Sequence, residues 1–214
     1  YAKATAYWEG QEATIAGVLG GYPETHEPDI RESRRFLSYL GRLECPPSWS
    51  TALDCGAGIG RVTKALLLDI FEHVDLLEAN ERLLQTAKLE VKSTKVSSYF
   101  SASLQSFLPD PGRYDIIWAQ WVLLYLTDDD LVAFLHRCAS ALSRNGLICI
   151  KENVQLDGKW KLDKDDNSIA RTTEQYKAIF AKAELSVALE MKQAFWPNDL
   201  MPVMMYALRP THRE

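Results

Sequence analysis

Seven consecutive residues, Asp54-Cys55-Gly56-Ala57-Gly58-Ile59-Gly60, place three glycines at alternate positions directly behind an acid. A Cβ at such positions would hold a ligand away from the main chain, so a turn of this kind at the start of a helix lets a polar ligand lie against backbone N–H groups. The spacing G-x-G-x-G is one residue shorter than the G-x-G-x-x-G that wraps a dinucleotide pyrophosphate, which points to a nucleoside without a diphosphate. About twenty residues further on, Glu78 ends the next apolar run, where doubly wound folds place an acid to receive both ribose hydroxyls. Arg61 follows the last glycine, and its guanidinium can share a ligand carboxylate with the helix N-terminus. Ribose, carboxylate and no phosphate are the features of S-adenosylmethionine.

Such a site needs a strand ending at Asp54 and a helix opening at Arg61, and the surrounding pattern supplies both. Thr51–Asp54 reads as a short apolar strand, and Arg61–Phe71 as a helix with Val62, Ala65, Leu66 and Ile70 on one side. Strand Val74–Glu78, helix Glu81–Val91, strands Val96–Ser101 and Tyr114–Trp118, helix Asp128–Leu142, strand Gly146–Asn153 and helix Thr172–Ala183 follow. That alternation is how a parallel sheet with crossover helices is written. Thr127 with Asp130 reads as a capping box with a shorter acid, and Asn145-Gly146 as a left-handed helix stop. Leu185–Gln193 and Val203–Leu208 have no helix between them and should pair antiparallel. The expected fold is α/β, a seven-stranded, mostly parallel sheet with helices on both faces and the last strand antiparallel.

Two segments stand outside this rhythm within what reads as a single domain over 1–214. Residues 1–45 carry the aromatic pair Tyr7-Trp8, the flexible Gly20-Gly21 and a helix over Ile30–Leu40. Residues 154–168 carry an expected hairpin turn at Asp157-Gly158 and the acids Asp163, Asp165 and Asp166. Both are candidates for a lid over the carboxyl ends of the strands, where open α/β sheets bind ligands.

Composition narrows the classes. The 214 residues are 47% hydrophobic, enough for one sizeable core. Against 24 Lys and Arg stand 29 Asp and Glu, a net charge of −5, which argues against direct nucleic-acid binding. The apolar runs Val122–Leu126 and Leu147–Ile150 fall far short of the roughly 20 residues that span a bilayer, so no membrane partner is expected. The first residue is Tyr1, and any targeting segment before it is not visible. Cys45, Cys55, Cys138 and Cys149 are isolated, as are His26, His73, His136 and His212, so no metal site is expected. The cysteines read as small buried apolar residues in a reducing compartment.

An acid followed by G-x-G-x-G resembles the class I S-adenosylmethionine-dependent methyltransferases. Tyr7-Trp8, Gly17 to Tyr22 (G-V-L-G-G-Y), Leu53 to Arg61, Ile117 to Trp121 (I-W-A-Q-W) and Ile150 to Asn153 (I-K-E-N) together resemble the eukaryotic protein N-terminal methyltransferases over nearly the whole chain. The ordered L-G-G-Y, W-x-Q-W and K-[DE]-N patterns are the specific part. The resemblance implies a Rossmann-like methyltransferase fold with S-adenosyl-L-methionine as cofactor. It also implies methylation of the α-amino group of proteins that expose an N-terminal Xaa-Pro-Lys or Xaa-Pro-Arg. A monomer working in the cytoplasm and/or nucleus is the accompanying expectation.

Carried over by motif, Gly56, Gly58, Arg61, Glu78, Leu104, Gln105 and Gln120 hold the cofactor. Trp8, Leu19, Gly20, Trp121, Asp163 and Ser168 bind the peptide, with Asp163 placed to pair with the third-position Lys or Arg. Asp166, Asn153 and Tyr125 act at the amine. Asn153 would hydrogen-bond the first residues' backbone, and Asp166 would attract the ammonium form and accept its proton. Tyr125 stands where many members have histidine; a phenol with a reference pKa of about 10 is a poor base at neutral pH, so its expected work is positional. Other readings remain: a class I methyltransferase with another protein or small-molecule acceptor, a non-catalytic cofactor-binding scaffold, and a nucleotide-dependent oxidoreductase, which the short glycine spacing disfavours.

Overall fold

The computed structural model describes residues 1–211; His212 lies outside the described residues. In chain order the elements are α1 (Ala2–Gly10), α2 (Ile15–Val18), a 3-10 turn (Pro23–Thr25), α3 (His26–Leu40) and β1 (Thr51–Cys55). A π-helical turn (Thr63–Leu67) then runs into α4 (Leu68–Ile70), followed by β2 (His73–Glu78), α5 (Glu81–Glu90), β3 (Val96–Ser101) and β4 (Tyr114–Gln120). A 3-10 turn (Leu123–Tyr125), α6 (Asp128–Ala141), β5 (Leu142–Gln155), β6 (Lys161–Leu162) and β7 (Ile169–Thr172) come next. The chain closes with α7 (Thr173–Lys182), β8 (Leu185–Lys192) and β9 (Val203–Pro210).

Strands β3-β2-β1-β4-β5 lie side by side and parallel. The body of β5 then pairs antiparallel with β9, and β9 antiparallel with β8, which completes the seven expected strands with the last one reversed. Alternate residues of the central strands enter opposite faces, as a pleated strand requires. Leu53, Cys55, Ile117, Ala119, Ile148 and Ile150 pack towards α6 and α7. Ala52, Ile116, Trp118, Leu147 and Cys149 pack towards α3 and the π-helical segment. Every residue of β4 is buried, and a fully buried Leu or Ile contributes about 1.5–3 kcal/mol.

Several local expectations are corrected. The helix expected from Ile30 begins at His26, because Pro28 falls in its first turn, where no N–H is needed. The left-handed stop at Asn145-Gly146 is absent: α6 ends at Ala141 and Leu142 is already extended. Gly146 is required instead by close approach, since a Cβ there would lie 2.6 Å from the Tyr114 carbonyl oxygen. The hairpin lies between β6 and β7, closed by the Asp163 N–H donating to the Ser168 carbonyl at 2.9 Å. Asp157-Gly158 is only a bend, with the Asp157 carboxylate accepting from the Lys159 N–H. The insert therefore starts after Gln155, where β5 ends, and β7 leads directly into α7 through the Thr172–Gln175 capping box. Cys45 is exposed, unlike the other three cysteines.

Candidate active site

An open cleft of about 1790 Å³ crosses the carboxyl ends of β1, β2, β4 and β5, and every residue carried over from the sequence motifs lines it. Along one wall, Gly56 and Gly58 adopt the left-handed backbone, with φ of 70° and 58°. The Gly58 N–H donates to Glu78 Oε2 at 2.9 Å, and the Asn80 N–H to Oε1 at 2.7 Å, so the carboxylate at the end of β2 is clamped across the glycine turn. Burial pushes its pKa up, and these backbone donors offset part of the rise. Asp54, wholly inside the fold, accepts from the Thr63 hydroxyl at 2.6 Å; burial lifts its pKa to about 6. Arg137 of α6 holds the 104–107 turn by donating to the carbonyls of Leu104, Gln105 and Phe107.

Arg61 is nearly buried, and its Nη1 donates to Asp29 Oδ2 at 2.7 Å while the ring of Trp121 lies beneath the guanidinium. Gln120 donates through Nε2 to Asp29 Oδ1 at 2.8 Å and accepts the Trp118 indole N–H at 3.1 Å. Because indole can only donate, the orientation of the Gln120 amide is determined.

The opposite wall is built from separate segments. Trp8 of α1 meets the Tyr125 ring edge-on at 6.1 Å, and the Tyr125 hydroxyl donates to Asp166 Oδ2 at 2.8 Å. Asp166 Oδ1 accepts from the Ser168 N–H at 2.9 Å, and Asp163 Oδ1 from the Asp165 N–H at 2.8 Å. Burial, then the Asp166 charge, raises the Tyr125 phenol well above its ordinary value, so it remains a donor. Trp121 sits in the left-handed region with φ of 52°, a conformation that costs about 1–3 kcal/mol for a non-glycine residue. Glu152 fixes the chain just after it, Oε1 accepting from Val122 N–H at 2.9 Å and Leu123 N–H at 2.8 Å. Burial lifts the Glu152 pKa to about 8.

A family model described as AdoMet-dependent proline di-methyltransferase matches residues 1–209. The chain belongs to this family. Among its relatives, N-terminal Xaa-Pro-Lys N-methyltransferase 1-B of Xenopus laevis is 42% identical over 212 residues, 98% of this chain and 95% of the frog protein. The Homo sapiens N-terminal Xaa-Pro-Lys N-methyltransferase 1 is 43% identical over 212 residues, again 98% of this chain and 95% of the human protein. Of solved structures, a SAM-dependent methyltransferase of Leishmania major superposes with a TM-score of 0.93 at 42% identity, covering 98% of this chain and 82% of that one.

S-adenosylmethionine is the cofactor of this methyltransferase family, and the donor set fits it. A carboxylate stands at the strand end for ribose, and a guanidinium and an amide N–H stand nearby for the amino-acid tail. Gly58 supports the fit: a Cβ there would project into the cleft, with only Val18 nearby at 3.7 Å. Several cleft residues of the methyltransferase escaped the sequence reading. Trp196, tilted against Trp121 at 5.9 Å, and Met201 come from the connection between β8 and β9. Their signal was an aromatic beside a proline, Trp196-Pro197, in a stretch without strand alternation. Asp29 was missed as well, because its neighbours Glu27, Arg31 and Glu32 give it no apolar context, and Glu152 stood in the I-K-E-N motif without a role of its own.

Proposed function

We propose that this chain methylates the α-amino group of proteins with an exposed N-terminal Xaa-Pro-Lys or Xaa-Pro-Arg, the activity that the names of its 42–43% identical relatives carry. The observation that carries the reading is the convergence of Trp8, Trp121, Asn153, Asp163 and Asp166 on the cleft that also holds the glycine turn. S-adenosylmethionine, when bound, supplies an electrophilic methyl group. What remains for the protein is to recognise a terminal amine and free its lone pair.

An α-amino group has a reference pKa of about 7.7–8.0, so a positioned proton acceptor suffices where a strong base is unnecessary. Asp166 fills that role: it attracts the ammonium and takes its proton directly or through water. Its rotamer is set by Ser168 N–H on one oxygen and the Tyr125 hydroxyl on the other. Asn153 hydrogen-bonds the first residues' backbone. The Trp121 indole N–H is buried with no acceptor among the described residues and offers a further donor to a peptide carbonyl. Trp8 packs the second-position proline, and Leu19, Gly20 and Ser168 shape the channel. Asp163, on the hairpin turn, pairs with the third-position cation. On the cofactor side, Gly56, Gly58, Leu104 and Gln105 frame the adenosine, Glu78 receives the ribose hydroxyls, and Arg61 and Gln120 hold the carboxylate.

The reading extends to a single-domain monomer whose lid comprises residues 1–45 and the insert, with no nucleic-acid partner. Three buried, unpaired cysteines support work in the reducing cytoplasm and/or nucleus. Mass spectrometry of peptides tests the acceptor. A free Xaa-Pro-Lys peptide should gain methyl groups at its terminus, while the Nα-acetylated peptide and one with Glu at position three should not. Equal methylation of the acetylated peptide would sink the assignment.

A further inference from the structure

Helix α3 brings two side chains to Arg61: His26, whose Nδ1 lies 3.2 Å from Nη1, and the wholly buried Asp29. Asp29 accepts from Arg61 Nη1 on Oδ2 at 2.7 Å and from Gln120 Nε2 on Oδ1 at 2.8 Å. Lys151 of β5 pairs with Asp29 Oδ1 and also donates to the Asp29 carbonyl and to Ser33 Oγ, at 3.0 and 2.9 Å, so all three of its N–H groups are used. Burial alone would raise the Asp29 pKa, but Lys151 and Arg61 outweigh it and hold the group below its ordinary value. The carboxylate is therefore charged, and each of its oxygens faces a different cleft residue.

The consequence for the cleft lies in what remains unused. With Nη1 committed, Arg61 Nε and Nη2 donate to no acceptor among the described residues. With its oxygen turned to Trp118 and one amide hydrogen to Asp29, Gln120 has one N–H left and no exposed acceptor facing the ligand. Both residues thus present only donors, one of them charged, which suits an anionic acceptor such as a carboxylate better than a neutral one and disfavours a cation. We propose that Asp29 is a positioning residue for the cofactor's amino-acid tail: its two oxygens orient Arg61 and Gln120 together, so that docking of α3 and capture of the cofactor carboxylate are one event. This inference rests on the assignment of Arg61 and Gln120 to that carboxylate.

The test compares two ligands that share adenosine and differ in the tail, S-adenosylhomocysteine and 5′-methylthioadenosine, which lacks the amino acid altogether. Calorimetry on the wild type should show clear preference for S-adenosylhomocysteine. In Asp29→Asn an amide accepts at one position only and cannot orient both donors. Affinity for S-adenosylhomocysteine should fall about tenfold or more while that for methylthioadenosine stays within about twofold. Asp29→Glu keeps the charge that offsets Lys151 and Arg61, and so serves if the amide variant does not fold; it displaces the carboxylate by a methylene and should show the same split. Undocking of α3 as a merely structural effect would weaken both ligands alike, and that outcome overturns the proposal, as does an unchanged preference. A wild type that binds the two ligands equally would remove the carboxylate subsite itself, which is a failure of the underlying assignment and distinguishable from the first two.

Discussion

The cofactor wall takes its groups from strand ends and one glycine turn, locked by buried bonds such as Thr63 to Asp54 and Arg61 to Asp29. The acceptor wall takes its groups from α1, the turn 121–125, the β6–β7 hairpin and the connection before β9. The bonds that attach α1 are exposed: Arg82 donates to the carbonyls of Trp8 and Glu9 at 3.3 and 3.4 Å, Tyr1 reaches Thr127, and Lys3 reaches the Lys164 carbonyl. Exposed hydrogen bonds contribute little net stability and open readily, so the wall that must admit a protein terminus is the one able to part. The wall with the glycine turn is held by buried bonds instead.

Breaking the acceptor wall at Asp166, the proposed proton acceptor, should give the largest effect. Asp166→Asn keeps shape but cannot take a proton or offset the ammonium charge, so kcat on an Xaa-Pro-Lys peptide should fall about 100-fold or more. Cofactor affinity, read by calorimetry, should stay within about twofold, because the Asp166 carboxylate is bonded to Tyr125 and Ser168 and to no residue of the glycine turn among the described residues. A variant retaining full turnover at pH 7 would move the role to Asp163.

On the rigid wall the corresponding change is Gly56→Ala. At φ of 70° an alanine costs roughly 1–2 kcal/mol, and its Cβ would lie 2.6 Å from Val122, which must then shift the turn leading to Tyr125. Gly58→Ala incurs the same backbone cost but meets nothing closer than 3.7 Å. Melting temperature should therefore fall further in Gly56→Ala than in Gly58→Ala, and cofactor affinity should fall in both. Equal melting temperatures would show that Val122 yields freely.

The contrast between the walls also explains what could be read from the sequence. Part of the cofactor wall is nearly contiguous: Asp54 to Arg61 and Glu78 lie at the ends of two adjacent strands and in the turn after the first, so spacing alone indicated adenosine and a carboxylate, whereas Leu104, Gln105 and Gln120 came only with the resemblance. The sheet was legible for the same reason, because strands buried on both faces leave short apolar runs. The acceptor wall brings together residues as distant as Trp8 and Asp166, and only the resemblance to a family joined them in advance. Local spacing misplaced the hairpin because Asp157-Gly158 has turn chemistry but no partner strand beside it. It missed Asp29 because the residue falls just before the expected helix start at Ile30, where an acid among Glu27, Arg31 and Glu32 reads as solvated until Lys151 and Arg61 are seen beneath it.

Glu152 holds the turn after Trp121 through Val122, and burial raises its pKa into a range that pH can probe. Its pKa in the folded chain, about 8, lies above the unfolded value of about 4.3, so the folded state binds the extra proton. The stability this provides is full below the unfolded value and is lost as pH rises through the folded one, at about 1.4 kcal/mol per unit of the interval. Glu152→Gln removes the titration while its oxygen can still accept from Val122 and Leu123. The melting temperature of wild type minus variant should therefore decline between pH 5 and 8, by roughly 8–16 °C, since about 4 kcal/mol is lost over those three units in a chain of this size. A constant difference across that range would mean Glu152 keeps an ordinary pKa.

The smallest expected effect is the most informative about how the flexible wall does chemistry. Tyr125 touches both of its neighbours, Trp8 through the ring and Asp166 through the hydroxyl, so packing and the proposed part in proton handling fall on one side chain. Tyr125→Phe separates them, because it keeps the edge-on contact with Trp8 and removes only the donor to Asp166 Oδ2. If the hydroxyl orients the carboxylate, kcat should fall about tenfold, or about 1.4 kcal/mol of barrier, with little change in melting temperature. If the ring alone matters, kcat should be unchanged. The double variant sharpens the outcome: with Asp166 already Asn, loss of the hydroxyl should cost turnover little, since a group that acts through Asp166 has nothing left to orient. Independent, multiplying losses would instead place the Tyr125 hydroxyl on the amine itself. Tyr125→His asks the remaining question. Should this wall lack only a base, the variant would gain rate as pH rises past about 6.5, where imidazole loses its proton; a flat or lower profile would show that Asp166 already meets the need.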